Sequence, residues 1–176
     1  MRSVLTGCVV VLAANGGAMA KEATVDQATD PVAILRDVSA RGAAAVVRDF
    51  YDDRVDWDSM LHQVERADEA WLRVAVALRP GTDAGSTSEL HDSVVAALAA
   101  DPATVLRVAV PDFPLSDLCS GRHDPLATYD AAVTEVDKMV AAVAAIESPQ
   151  LSKDRDECLR ALRASRGDLK RFFARE

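Results

Sequence analysis

Proline follows an N-cap residue at four places in this chain, and this pattern restricts the fold more than any other sequence feature. The four dipeptides are Asp30-Pro31, Asp101-Pro102, Asp124-Pro125 and Ser148-Pro149. An aspartate or serine at the N-cap accepts hydrogen bonds from the first helical turn. Proline is favoured at the first helical position because its missing N–H would have no partner there. Each dipeptide therefore predicts the start of a helix.

Apolar residues recur at helical spacing between these starts. The spacing of 4, 3, 4 and 3 residues in one such stripe places its members on one face of a helix, and the stripe consists of Tyr129, Val133, Val136, Val140 and Val143. Alanine is abundant and favours helix, and no pair of strands stands out. The sequence predicts an all-α fold of about eight to ten short helices in antiparallel pairs, arranged as HEAT-like repeats or as an irregular helical bundle.

Polar and glycine residues predict where individual helices begin and end. Asp56 or Asp58 is expected to cap the third helix, because either side chain can accept a hydrogen bond from a following amide. The last long helix is expected to begin at Ser148-Pro149 and to end at Gly167, since glycine is a weak helix former and a frequent helix terminator.

Residues 1–20 have the anatomy of a secretory signal peptide. Arg2 provides a positive n-region, residues 4–14 form an apolar run, and Ala18-Met19-Ala20 is an A-x-A cleavage site. The run is shorter than the ~20 apolar residues of a membrane-spanning helix. We expect cleavage after Ala20, a flexible N-terminal segment at 21–29, a single all-helical domain at 30–176, and a periplasmic or secreted location.

Removal of the leader leaves two cysteines, Cys119 and Cys158. An even pair in an oxidising compartment indicates a disulfide. A metal site or a redox couple would need additional histidine ligands or C-x-x-C spacing, and neither is present. We therefore predict one structural disulfide between the loop that follows Leu118 and the last long helix.

The charge of the exported chain restricts its partners. Without Arg2 the chain has 19 basic and 28 acidic residues, a net charge of −9. This balance argues against nonspecific binding of nucleic acid or anionic membranes, which depends on lysine and arginine, and no segment predicts membrane insertion. Residues 151–176 carry eight basic and five acidic residues, so we expect a basic terminal helix that docks on an acidic body.

The stretch RPGTDAGSTSEL, residues 79–90, is the part of the chain that most resembles a site of chemistry. Residues 83–87 are similar to the D-x-G-S-T phosphate loop of actin-like ATPases and, less closely, to the D-T-G-S of aspartic proteases. Those motifs lie in β-frameworks, whereas helical patterns precede and follow this one. We interpret the stretch as a connector in which Ser86 caps a helix and forms an S-x-x-E capping box with Glu89.

Metal and cofactor signatures are missing from the sequence. The three histidines, His62, His91 and His123, lie in no H-E-x-x-H or Cys/His cluster. The acidic run between Asp49 and Asp58 does not match the ligand positions of an EF-hand loop. We therefore predict no metal and no cofactor.

Four residues are candidates for a binding surface. Trp57 and Trp71 are candidates to line a groove for a partner, since tryptophan is enriched at interfaces, and the alternative is that they fill the core. Asp53 and Asp83 are the carboxylates that would accompany them.

The middle of the chain resembles two known groups of helical proteins. Residues 40–51, 59–78 and 88–108 repeat a plan of helix, aspartate-containing turn and helix that is similar to HEAT-like repeats. The same region looks like an uncharacterised group of small exported bacterial proteins with a W-L-x-x-A-x-x-L helix, a PGTDAG loop and a D-P turn before V-L. The matching residues are Trp71, Leu72, Ala75, Leu78, Pro80 to Gly85, Asp101, Pro102, Val105 and Leu106. This resemblance implies an exported all-helical fold and no particular activity.

These observations favour a non-enzymatic protein-binding module of the cell envelope, of inhibitor or immunity type. Its acidic body suits an envelope protein with a basic face. Two alternatives remain open at this point. One is an enzyme that acts on cell-envelope polymer through carboxylates such as Asp53, Asp58 or Asp83. The other is a carrier of a small ligand bound between helices. Catalytic residues are not predicted, and the sequence gives no oligomeric state.

Overall fold

A computed structural model describes residues 30–120 and 128–174. Within these ranges the protein consists of helices and has no strand, which confirms the predicted all-α fold with one disulfide. The predictions for residues 1–29, for His123 and for a helix start at Asp124-Pro125 lie outside the described residues.

Nine α-helices occupy the described ranges. A 3-10 turn at Arg79–Gly81 follows the fourth helix, and another at Pro149–Leu151 precedes the ninth. In chain order the helices are α1 (Pro31–Arg41), α2 (Ala43–Asp52), α3 (Arg54–Glu65), α4 (Glu69–Leu78), α5 (Ala84–Ala100), α6 (Pro102–Val108), α7 (Leu115–Leu118), α8 (Tyr129–Ala144) and α9 (Ser152–Phe173).

Aspartate side chains start most of the first six helices. The Asp30 carboxylate accepts from the amide of Val32 at 2.9 Å, and Asp101 accepts from Thr104 at 3.1 Å, so both Asp-Pro starts are confirmed. The cap of α3 is Asp53 rather than Asp56 or Asp58. The helix begins earlier because only Asp53 has the extended backbone conformation that an N-cap requires.

The last helix is longer at its C-terminal end than the sequence predicts. The turn at Pro149–Leu151 leads into α9 at Ser152, and α9 continues through Gly167 to Phe173. Leu162 and Leu169 are buried on either side of Gly167. Burial of both leucines offsets the cost of about 1 kcal/mol that a glycine adds to a helix interior.

The helices surround one large hydrophobic core that includes residues from Ile34 in α1 to Leu162 in α9. Helix α5 is central, since it contacts α3, α6 and α8, and α8 packs along α9. Contacts between α1 and α4 and between α5 and α8 connect helices that are not neighbours in the chain. This arrangement is an irregular bundle rather than a row of stacked pairs, in which each unit would contact only its neighbours.

A disulfide joins the end of α7 to α9. Cys119 and Cys158 are both fully buried, their Cα atoms lie 5.2 Å apart, and the bond spans 39 residues of sequence. The predicted pairing is therefore confirmed. The bond fixes α9 on the core independently of any charge interaction.

Helix α9 docks on the body mainly through its apolar face. Its buried residues are Cys158, Leu159, Leu162 and Leu169, whereas Arg160 and Arg163 are exposed. The basic terminal helix thus packs against the body as expected, with Arg166 paired to Asp137 of α8. Most of its arginines nevertheless face solvent, because burying an arginine costs more than burying the apolar face of the same helix.

Removal of the disulfide is expected to cause a large loss of stability. Closing a loop of this length stabilises the folded state by ~3–4 kcal/mol in the chain-entropy model. We expect the C119A/C158A variant to lose about that amount in urea unfolding without reductant. Reductant should shift the midpoint of the wild type and leave that of the variant unchanged. Equal midpoints of wild type and variant would contradict the prediction.

Substitution by alanine is expected to change the stability of the protein in opposite directions at two glycines. A Cβ added at Gly167 meets nothing within 4 Å, so Gly167→Ala should stabilise the protein by ~0.5–1 kcal/mol through helix propensity. A Cβ added at Gly81 would clash with the backbone of Ala43 and Ala44, so Gly81→Ala should destabilise it by ~1–3 kcal/mol. Thermal unfolding of the two variants measures both effects, and shifts of the same sign would refute this interpretation.

Candidate functional site

Both tryptophans that the sequence offers for a binding surface belong to the core. Trp57 is 0 % exposed and Trp71 is 7 % exposed. Each lies at the start of a helix, on the apolar stripe that faces the other helices. Neither ring lines an exposed groove. Both rings fill the core, which was the alternative interpretation of the sequence.

The polar edge of Trp57 joins α3 to α5. Its indole Nε1 donates to Glu89 Oε2 at 2.6 Å, and Arg54 Nη1 donates to the same oxygen at 3.0 Å. The Arg54 guanidinium lies over the ring of Tyr51, 4.8 Å from its centroid, and the Tyr51 ring meets Trp57 edge-on at 5.4 Å. These four side chains, Tyr51, Arg54, Trp57 and Glu89, form a cluster that holds the start of α3 against α5.

The connector that precedes α5 is capped three residues earlier than the sequence predicts. Asp83 is the N-cap, its carboxylate accepts from the Ser86 amide at 3.3 Å, and the Ser86 hydroxyl accepts from the Asp83 amide at 3.0 Å. Ser86 is therefore the reciprocal partner and not the cap. Glu89 is engaged by Trp57 and Arg54 instead, which removes it from the predicted S-x-x-E box.

Asp83 has a structural task in this arrangement. Hydrogen bonds from the Ser86 hydroxyl, and then from its amide, lower the pKa of the Asp83 carboxyl. Gly85 lies against α2, since a Cβ there would be 2.9 Å from the Tyr51 hydroxyl. Residues 79–90, the stretch that most resembles a site of chemistry, thus connect α4 to α5 and position α5.

The first turn of α3 carries an exposed aliphatic side chain among carboxylates. Val55 is 77 % exposed, the largest fraction among the exposed large apolar residues of the described ranges. No ion pair to Asp52, Asp53 or Asp56 is found within residues 30–120 and 128–174. We call Asp52, Asp53, Val55 and Asp56 the acidic corner. Residues 43–65, which include it, hold six acidic and two basic residues, a net charge of −4.

The sequence-predicted residues therefore have different places. Asp53 belongs to the acidic corner, where it also accepts from the amides of Val55 and Asp56 at 3.2 and 3.4 Å. Trp57 lies beneath the corner in the core, and Asp83 caps the helix that Trp57 contacts. Trp71 belongs to another part of the core. Sequence reasoning missed Val55, although an aliphatic residue between aspartates at a helix start was a detectable signal.

A groove lies between α1, α4 and α6 and has a volume of about 480 Å³. Leu35, Val76 and Val108 give it apolar lining. Glu69 accepts hydrogen bonds from Arg73 at 2.7 Å and from Arg107 at 2.9 Å, and these bonds lower the pKa of the Glu69 carboxyl. The charges at the groove are thus already paired within the protein.

The described residues include no metal site and no helix capable of crossing a membrane. No group of three or more histidine, cysteine, aspartate or glutamate side chains in residues 30–120 and 128–174 is arranged so that it could hold a metal ion. In the same ranges no helix is long and apolar enough to span a bilayer. His62 is exposed, with Nδ1 2.7 Å from the Asp58 carbonyl oxygen, and His91 is half-buried.

The carboxyl groups with a resolved shift all have a lowered pKa, so they are ionised at neutral pH. Hydrogen bonds from arginine, serine or threonine contribute to the lowering in every case, and the groups are Asp37, Glu69, Asp83, Asp101 and Asp137.

Comparison with known proteins adds no relative: no protein-family model, curated protein or solved structure matches this chain.

The cluster beneath the acidic corner predicts a graded response at Glu89. Glu89→Ala leaves the buried Trp57 N–H without an acceptor, so the free energy of unfolding should fall by ~2–3 kcal/mol. Glu89→Gln keeps an acceptor oxygen and should lose less than half as much. Urea unfolding measures both, with Glu135→Ala on the exposed side of α8 as the control. Equal losses in the alanine and glutamine variants would show that the hydrogen bond has no such role.

Proposed function

We propose that this protein is an exported, non-enzymatic module that binds another protein through the acidic corner. The observation that carries the proposal is the exposure of Val55 among three carboxylates that have no ion pair within the described residues. An apolar centre with a polar rim is the usual anatomy of a protein interface. An exposed aliphatic side chain here is suited to a shallow pocket on a partner.

The charge of the corner indicates the kind of partner. Three neighbouring carboxylates repel one another, and a partner with arginine or lysine at matching positions would relieve that repulsion. Complementary charge also raises the rate of association and excludes partners of the wrong sign. An envelope protein with a basic face, such as a cell-wall-directed enzyme or a toxin, has this chemistry, and binding would make the present protein its inhibitor or immunity factor.

The support beneath the corner favours binding without rearrangement. Glu89 ties α3 to α5 through Trp57 and Arg54, and Asp53 fixes the first turn of α3 by accepting from two amides. A surface that is already ordered loses less conformational entropy on association. Helical modules commonly present such rigid surfaces to proteins.

The groove between α1, α4 and α6 favours a second candidate, a carrier of a small ligand. Its volume of about 480 Å³ lies within the range of small-molecule sites. Its charges pair with each other, so an apolar ligand suits it better than an ionic one. A ligand of defined mass that is retained in native mass spectrometry and lost from Val76→Trp would favour this candidate over the first.

A site-specific photo-cross-linker tests the protein-binding proposal. We expect benzoylphenylalanine at position 55 to form an adduct with one envelope protein in living cells. The same probe at position 32 should not, although Val32 is 59 % exposed on α1. Substituting Asp52→Asn and Asp56→Asn together should remove the adduct, because the partner's cations lose their counter-charges.

The control for charge is the pair Asp130→Asn and Glu135→Gln, which removes two exposed carboxylates from α8. The adduct should persist in this variant. Adducts of equal yield at positions 32 and 55, or an adduct that survives in D52N/D56N, would refute the acidic corner as the binding surface.

A further inference from the structure

The outer side of the C-terminal half of α9 is a basic surface. Arg160, Arg163, Lys170 and Arg171 are all exposed and lie within about 100° of one another around the helix, at 100° per residue. We call these four residues the basic stripe. Residues 160–171 hold five basic residues and one acidic residue, a net charge of +4, whereas residues 30–120 carry −8.

The basic stripe is largely uncompensated within the protein. No ion pair to Arg160, Arg163 or Lys170 is found in the part of the chain that the structure describes. Arg171 pairs with Asp168 on the same helix. Asp137 on α8 accepts two hydrogen bonds from Arg166, at 2.5 and 3.0 Å, and is thereby neutralised. The stripe thus presents three cations that could meet an external anion.

The middle of the stripe is flat. The exposed residues between the cations are the small Ala164 and Gly167, with open space around Gly167, and Arg166 and Asp168, which are paired with Asp137 and Arg171. From Arg160 to Arg171 the helix rises about 16 Å. A protein interface normally has a large apolar residue at its centre, and the stripe has none. Its shape therefore fits a plane of anionic groups better than the contoured surface of an acidic protein.

Aromatic residues lie at the C-terminal end of the stripe. Tyr129 is 38 % exposed and Phe172 is 46 % exposed. Both rings meet Phe173 edge-on, with centroids 5.9 and 5.3 Å apart. Phe172 lies about 100° or more around α9 from each residue of the stripe, and Phe173 packs on Ala132, Val136 and Leu169, so these rings join α9 to α8 and are not part of the stripe.

The acidic corner does not cancel this basic surface. Contacts run from α3 to α5, from α5 to α8 and from α8 to α9, so two helices lie between the corner and the stripe. Packed helices are separated by about 8–10 Å, and the Debye length is about 8 Å at physiological ionic strength. Salt therefore screens the corner from a surface that the stripe contacts.

We propose that the basic stripe binds the surface of an anionic phospholipid bilayer, with α9 lying in the plane of the headgroups. Each basic residue near such a surface strengthens binding about five-fold. The binding is peripheral and reversible. It is independent of the proposed protein partner, which would use the acidic corner.

Vesicle sedimentation of the purified protein tests the inference. We expect binding to vesicles rich in phosphatidylglycerol, much weaker binding to pure phosphatidylcholine, and loss of binding at high salt. R160E/R163E/K170E should weaken binding by more than about 100-fold, since the loss of three cations alone accounts for that factor and the reversal adds repulsion. R36E/R48E/R66E has the same net charge and replaces exposed arginines elsewhere, so it should bind nearly as well as the wild type.

Circular dichroism must show that both triple variants remain folded, and D52N/D56N should bind vesicles like the wild type even where it loses a protein partner. Equal losses in the two triple variants would overturn the proposal. So would binding to phosphatidylcholine as strong as to phosphatidylglycerol, binding to neither, or binding to heparin or duplex DNA without binding to vesicles.

Discussion

Burial of α5 is the interaction on which the rest of the fold depends. Leu90, Val94 and Leu98 repeat at four-residue intervals and are each 0 % exposed. Helices α3, α6 and α8 pack around this apolar helix, and α8 in turn supports α9. Removing three such side chains from water contributes several kcal/mol, far more than the exposed ion pairs of this protein can supply. The Trp57–Glu89 hydrogen bond is directional, so it fixes which part of α3 contacts α5.

Apolar docking also determines where charge appears on the surface. Helix α9 buries Cys158, Leu162 and Leu169, and the disulfide with Cys119 holds it there. Its arginines must then face solvent, since helical geometry places them opposite the buried face. In helix α3 burial of the apolar face exposes negative charge instead, because Trp57 is buried and the neighbouring aspartates face outward. Two oppositely charged surfaces thus arise from the burial of two apolar faces.

The sequence predicts the helices better than it predicts their ends. Apolar spacing and Asp-Pro dipeptides identify the helical segments because these signals are local. The start of α5 was misplaced because Asp83 with Ser86 and Ser86 with Glu89 are both acceptable capping pairs. A contact from Trp57, distant in sequence, decides between them by engaging Glu89. Burial of Trp57 likewise depends on a neighbour that no local pattern reveals. Tertiary packing, which a single sequence does not contain, settled each of these points.

The separation of the acidic corner from the basic stripe limits what the net charge of the whole chain says about its partners. A chain with a net charge of −8 argues against an anionic partner only if its charges act together. Beyond one Debye length they act separately, so each surface responds to what it contacts. With α9 on a bilayer, the acidic corner would lie on α3, which is joined to α9 through α5 and α8. A partner held at the same membrane would then meet Val55 at a higher effective concentration than in solution, and a modest interface would be sufficient for binding.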